Sequence, residues 1–285
     1  MKTISLLILT LCAAASAWAD FSYTTTRKSP GPAAAAGPAA TKHYFKGQKM
    51  LTDNGNTAML IDFDAQTITN IDKAQKTFTP IKFSELPDIL KQSDIEVKAD
   101  VKETGQKKVI NGFNATEMVI TMAVDSPQMS QSRMKMQMEI SSWISSDVPG
   151  SQELKSFFQR NASNFPWAAM GGGASGMQKA MTDVQRKMAA SGGVALLQIV
   201  KMKSAAGNEA QAAQMQAGMA QARAQMEAMV KQGGPGAAAA QQALARMGGP
   251  AAEGALFEVT MESSGFSTAS IPDSVFAIPP DFHKK

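Results

Sequence analysis

Two stretches in the middle of the chain alternate apolar and polar residues with a period of two. In 113–124, Met118, Ile120, Met122 and Val124 share one face. In 133–144, Met134, Met136, Met138 and Ile140 share one face, while Lys135, Gln137 and Glu139 take the other. Successive side chains of a β-strand point to opposite sides, so this is the pattern of strands with one dry face and one wet face. Such a sheet needs a cover for its dry side.

Other segments extend the sheet. Strands are expected at 21–28, 44–51, 57–64, 67–71, 77–81, 95–103, 194–202, 256–263 and 266–271, from their β-branched and aromatic content and the turns between them. Asp53-Asn54-Gly55-Asn56 is a hairpin turn of residues that tolerate positive φ. Helices are expected at 84–92, with Ser84 as cap; at 151–164, with Ser151 as cap and Leu154, Phe157 and Phe158 as its apolar stripe; at 177–190; and at 208–232, stopped by Gly233-Gly234-Pro235. Residues 29–41 are a low-complexity loop, and about 168–253 form an Ala/Gln/Gly/Met-rich helical insertion. The tail after Ile271 is extended and pinned by Phe276, and Lys284-Lys285 form a solvated end. The expected class is α+β, a curved antiparallel sheet with helices packed on its concave face, in one domain spanning 20–285.

Residues 1–19 have the layout of a cleavable secretory signal: Lys2, an apolar run from Ile4 to Ala15, and the small-x-small site Ala17-Trp18-Ala19. The expected location is the periplasm or the exterior. No second apolar run approaches spanning length, so no transmembrane segment is expected in the mature chain. Of the 28 Lys and Arg residues one, Lys2, leaves with the leader, which turns a net charge of +4 into +3. That mild, dispersed charge does not point to nucleic acid.

The single cysteine, Cys12, also lies in the leader. The mature chain therefore has no disulfide and no thiolate, and its stability rests on a packed core. The two histidines, His43 and His283, stand near opposite ends. There is no G-x-S-x-G elbow, H-E-x-x-H or P-loop, and no spacing that pairs a nucleophile with a base. Asp62-Phe63-Asp64 opens like a calcium loop, but Thr67 and Lys73 occupy the glycine and glutamate positions, so it reads as a surface turn. No enzyme and no cofactor are expected.

Four segments resemble a family of exported bacterial proteins, DUF4412, similar in fold to the periplasmic lipoprotein carriers LolA and LolB. They are Phe45-Lys46-Gly47-Gln48-Lys49-Met50 leading to Ile61-Asp62; Asn70-Ile71-Asp72-Lys73 with Lys76-Thr77-Phe78-Thr79; Ile110-Asn111-Gly112-Phe113-Asn114-Ala115-Thr116-Glu117 with Trp143-Ile144-Ser145-Ser146-Asp147-Val148-Pro149-Gly150; and the close from Ile271 to Pro279. The resemblance implies a half-barrel sheet wrapped around helices with an apolar concave face. It implies no particular ligand.

The expected function is thus a non-enzymatic binding or carrier module for an apolar molecule or lipid, using Met118, Ile120, Met122, Met134, Met136, Met138 and Trp143. A second reading is Cu(I) handling by the thioethers of Met134, Met136 and Met138, since soft ligands select Cu(I). Its difficulty is spacing: residues two apart on a strand stand about 7 Å from each other. Met215, Met219, Met226 and Met229 form a further stripe, on a helix. A third reading is a structural or interaction role, with a protein partner engaged through residues 204–253.

Overall fold

A computed structural model describes residues 20–28, 39–86, 96–125, 136–166, 184, 187, 192–204, 209–234, 236–247 and 257–285. The leader, most of the low-complexity loop and much of the expected insertion lie outside these.

The described chain is a large open antiparallel sheet with three helices. The first meander comprises β1 (Phe21–Lys28), β2 (Ala39–Lys46), β3 (Lys49–Asp53), β4 (Thr57–Asp62), β5 (Thr67–Asp72) and β6 (Thr77–Lys82). The second comprises β7 (Glu96–Ile110), β8 (Phe113–Asp125), β9 (Met136–Ser145), β10 (Val194–Ser204) and β11 (Phe257–Ser267). β1 joins them, pairing with β2 on one side and β11 on the other. The order is β12-β6-β5-β4-β3-β2-β1-β11-β10-β9-β8-β7, where β12 (His283–Lys284) adds in parallel to β6 and all other pairs are antiparallel. The tail expected to be solvated is therefore part of the sheet: Lys285 N–H donates to the Phe78 carbonyl at 2.9 Å.

Local chemistry sets the turns. Asp53 Oδ1 accepts from Gly55 N–H and Asn54 Oδ1 from Thr57 N–H, closing the β3–β4 hairpin with Gly55 at φ 91°. Asp62 accepts from Ala65 N–H and pairs with Lys49, so the calcium-like stretch is a turn. Of the helix expected at 84–92, Ser84 and Glu85 lie in a 3-10 turn at Phe83–Glu85 and Leu86 is helical, and residues 87–92 lie outside the described set. The expected strands at 256–263 and 266–271 are one strand that ends at Ser267, with Gly265 at φ 65° bending it.

α1 (Ser151–Asn161) crosses one side of the first meander, here named the inner face. Successive strands supply Phe21, Phe45, Met50, Ile61 and Ile68 to that face, each in register with the next. Leu154 and Phe157 are buried against them. Phe157 meets Phe45 edge-on at 5.1 Å and Phe63 at 5.7 Å, and Phe165 lies 5.5 Å from Phe158. On the outer face Leu51, Ala58, Leu60 and Ile71 are covered by the C-terminal segment through Ile271 and Phe276. The buried Asp20 carboxylate accepts from Ile271 N–H at 2.6 Å, tying this segment to the start of β1. α2 (Glu209–Gln232) matches the expected helix, and α3 (Ala237–Met247), which packs against α2, lies past the expected stop at Gly233-Gly234-Pro235 and within the span read as a helical insertion.

Ser151 does not cap α1. It is the first helical residue, and its hydroxyl donates to the Ser146 carbonyl at 2.9 Å. The residue before it, Gly150, stands at φ 85°, and a Cβ there would overlap the Phe21 ring and approach Thr268 Cγ2 to 2.9 Å. Gly112 has nearly the same φ, 83°, with nothing within 4 Å. Gly150→Ala is expected to cost about 3 kcal/mol from strain plus overlap, and Gly112→Ala about 1 kcal/mol from strain alone. Urea unfolding midpoints of the two variants measure the difference; equal losses would show that the Phe21 contact does not set the α1 approach.

Candidate binding face

The second meander carries the expected apolar face inward. Register follows strictly across its strands: Val101, Ile120, Ile140, Val200 and Val259 form one row. Ala99, Met122, Met138 and Met202 form the next. Met118, Ser142, Gln198 and Met261 form a third, which continues to Arg27 on β1. Arg27 has the same parity as Phe21 along β1, so at that strand the third row reaches the Phe21 side, while Ile120, Met122, Met138 and Ile140 form a cluster of their own.

Met118, Ile120 and Met122 are buried, while Met138 and Ile140 are half-buried. Val184, itself buried and helical, packs on Ile120, Met122, Met138 and Ile140. Met134 lies outside the described residues, as does the side chain of Met136, whose backbone opens β9 in register with Val124. Trp143 points to the opposite side of β9 from Met138 and Ile140 and packs against the cluster that holds Phe21, Leu154 and Phe157. It pairs in register with Glu117 and Leu197, and Lys108 Nζ stands 5.4 Å from its ring centre. An odd-numbered residue on β9 cannot share a face with Met138 and Ile140 when that strand carries no bulge. On the helix, Met226 is half-buried and Met229 is 47% exposed.

Residues the sequence reading did not assign complete the face: Val200, Met202, Val259, Met261 and Arg27. The apolar stretch at 194–202 marked a strand, but it did not say which of its residues face inward, because a bulge between Ala195 and Leu197 resets the alternation.

Between the aromatic core and the apolar rows lies a band of polar side chains. Thr25 Oγ1 and Ser263 Oγ are 3.4 Å apart, and Gln198 Nε2 donates to Ser142 Oγ at 3.4 Å. Tyr23 stacks on His43 at 4.6 Å. Burial pushes the Tyr23 hydroxyl up to about 12 and the His43 imidazole down to about 4. The Arg27 Nε is buried with no hydrogen-bond partner.

A polar cleft of about 720 Å³ sits where β7 bulges, lined by Glu103, Lys107, Thr116 and Met118, which share one parity, together with Lys108, Glu117 and Asp147. Two of its acids are engaged: Glu117 accepts from Ser141 and from Thr104, and Asp147 accepts from Asn114 at 2.9 Å. Among the described residues no three His, Cys, Asp or Glu side chains form a group able to hold a metal ion, and no helix is long and apolar enough to cross a membrane. Comparison with known families and with curated proteins returned no match for this chain.

His43 makes the protein acid-sensitive. Its imidazole is held neutral when folded but takes a proton near its ordinary value of 6.5 when unfolded. The unfolded state therefore binds more protons as pH falls, and stability is lost from pH 6.5 down to about 4, by up to about 3 kcal/mol. Glu262 and Asp273, held low by hydrogen bonds from Lys28 and Lys46, act mainly below that window. Denaturant titrations at a series of pH values are expected to slope across the window in the wild type and to flatten in His43→Phe. A slope unchanged in that variant would assign the sensitivity elsewhere.

Proposed function

We propose that this protein is an exported, non-enzymatic binding or carrier module for an apolar molecule, with the inner face of β7–β11 as its binding surface. The observation that carries the reading is a contrast between the two meanders. Over the first meander, α1 locks the face with aromatic rings packed edge to face. Over the second, the described residues form a smooth panel of Met, Ile and Val, and Val184 is the described residue outside the sheet that packs in its cluster. Thioether and aliphatic side chains accept variable shapes, whereas an interlocked aromatic core does not. The half-barrel shape implied by the family resemblance supports the same use.

A ligand on this panel replaces Val184. Trimming that cover is expected to raise affinity, because the binding-competent state becomes more populated. In fluorescence titrations with an apolar probe such as N-phenylnaphthylamine, Val184→Ala binds several-fold more tightly than wild type, and Met138→Lys at least tenfold more weakly. Phe158→Ala, on the aromatic half, leaves affinity unchanged. No probe binding to the wild type, together with no lipid in mass spectra of the purified protein, would sink the reading.

One observation favours a second use. Met122, Met138 and Met202 stand side by side on three adjacent strands. Cross-strand neighbours have Cβ atoms about 5 Å apart, within reach of flexible thioethers, where the i, i+2 spacing along β9 is not. This row suits Cu(I) better than Met134, Met136 and Met138. Titration of Cu(I) against a competing chelator, with Met138→Leu at the centre of the row, tests it: a drop of tenfold or more supports a thioether site, and unchanged affinity removes it.

A further inference from the structure

We infer that the ligand of the inner face is a long-chain carboxylate, with its head on the Arg27 guanidinium and its chain along the apolar rows; this rests on the apolar-ligand reading above. Arg27 stands on β1 opposite Met261, at the end of the row that runs through Gln198 and Ser142 to Met118. Its Nε is buried without an acceptor. A buried guanidinium donor left unmatched is costly, and a site that keeps one is prepared for an anion.

The acids of β9 and β11 face the other side of the sheet, and the buried Glu258 Oε2 has no hydrogen-bond partner there. On the outer face Lys28 pairs with Glu262, Lys201 with Glu258, and Lys203 with Glu139. The inner-face residues flanking or in register with Arg27 are Thr25, Met261 and Gln198, none of them acidic. The guanidinium fork matches the two oxygens of a carboxylate, and the Thr25 and Ser263 hydroxyls lie one position along the same face.

The geometry also selects chain length. Strands are spaced about 4.8 Å apart, so the four steps from β1 to β8 cover about 19 Å. Beside the polar row runs the aliphatic row of Val259, Val200, Ile140 and Ile120. An acyl chain anchored at Arg27 is led along that row, which suits a long-chain acid and not a short one.

The test compares dodecanoate with dodecanol by calorimetric titration of the purified protein, each below its aggregation threshold. The wild type is expected to bind the acid at least tenfold more tightly than the alcohol. Arg27→Gln abolishes that preference, and Arg27→Lys keeps part of it. Alcohol binding with no preference for the acid, or a preference that survives Arg27→Gln, overturns the carboxylate site and leaves the apolar panel standing. Binding of neither compound removes the panel itself. If Arg27→Gln fails to fold, the wild-type preference and the Arg27→Lys variant still decide.

Discussion

The seating of α1 on the first meander is the contact on which the rest of the molecule depends. Phe21 occupies the space that a side chain at residue 150 would fill, so the chain leaving β9 can turn into the helix only through a glycine. That turn delivers Phe157 and Phe158 onto Phe45 and Phe63. The helix lies between β9 and β10 of the second meander in sequence but covers the first. One short helix therefore fastens the two halves across β1, and does so with the aromatic side chains that bury the most area per residue.

The two faces of the first meander are closed by different means. The inner side is closed by rings. The outer side is closed by the C-terminal segment, whose Ile271 N–H is held by the buried Asp20 carboxylate and whose Ile271 and Phe276 fill the apolar surface. Closure on both sides makes this half a core in the ordinary sense. The second meander is different: its outer side carries Lys–Glu pairs, and its inner side carries the apolar rows. The rigid half positions the adaptable one through a shared strand, β1.

Much of this architecture was legible in the sequence, because strand alternation and turn chemistry are local. The runs around Met118–Met122 and Met138–Ile140 gave the strands and their dry side, and Asp53–Asn56 gave the hairpin. What was not legible depends on partners remote in sequence. Trp143 was grouped with the methionines by composition, yet parity on β9 puts it on the other side. Met202 and Arg27 join the face only because β10 and β1 flank β11 in the sheet order, which no local pattern encodes. Ser151 has the chemistry of a cap, but the ring of Phe21 selects Gly150 for the turn and leaves Ser151 inside the helix. Lys284 joins the sheet because the exposed edge of β6 offers backbone groups to pair with, an opportunity that composition does not show.

The energetics favour exchange on one half only. Removing α1 from its seat exposes Leu154 and Phe157 together with their partners on the sheet, several side chains worth about 2 kcal/mol each. Lifting Val184 exposes one such side chain and the part of the panel beneath it. An apolar ligand that covers 200 Å² of that panel returns about 5 kcal/mol at the usual area coefficient, more than Val184 contributes and less than the aromatic core does. On the proposed reading, a ligand of that size would displace the Val184 contact and leave the aromatic core in place.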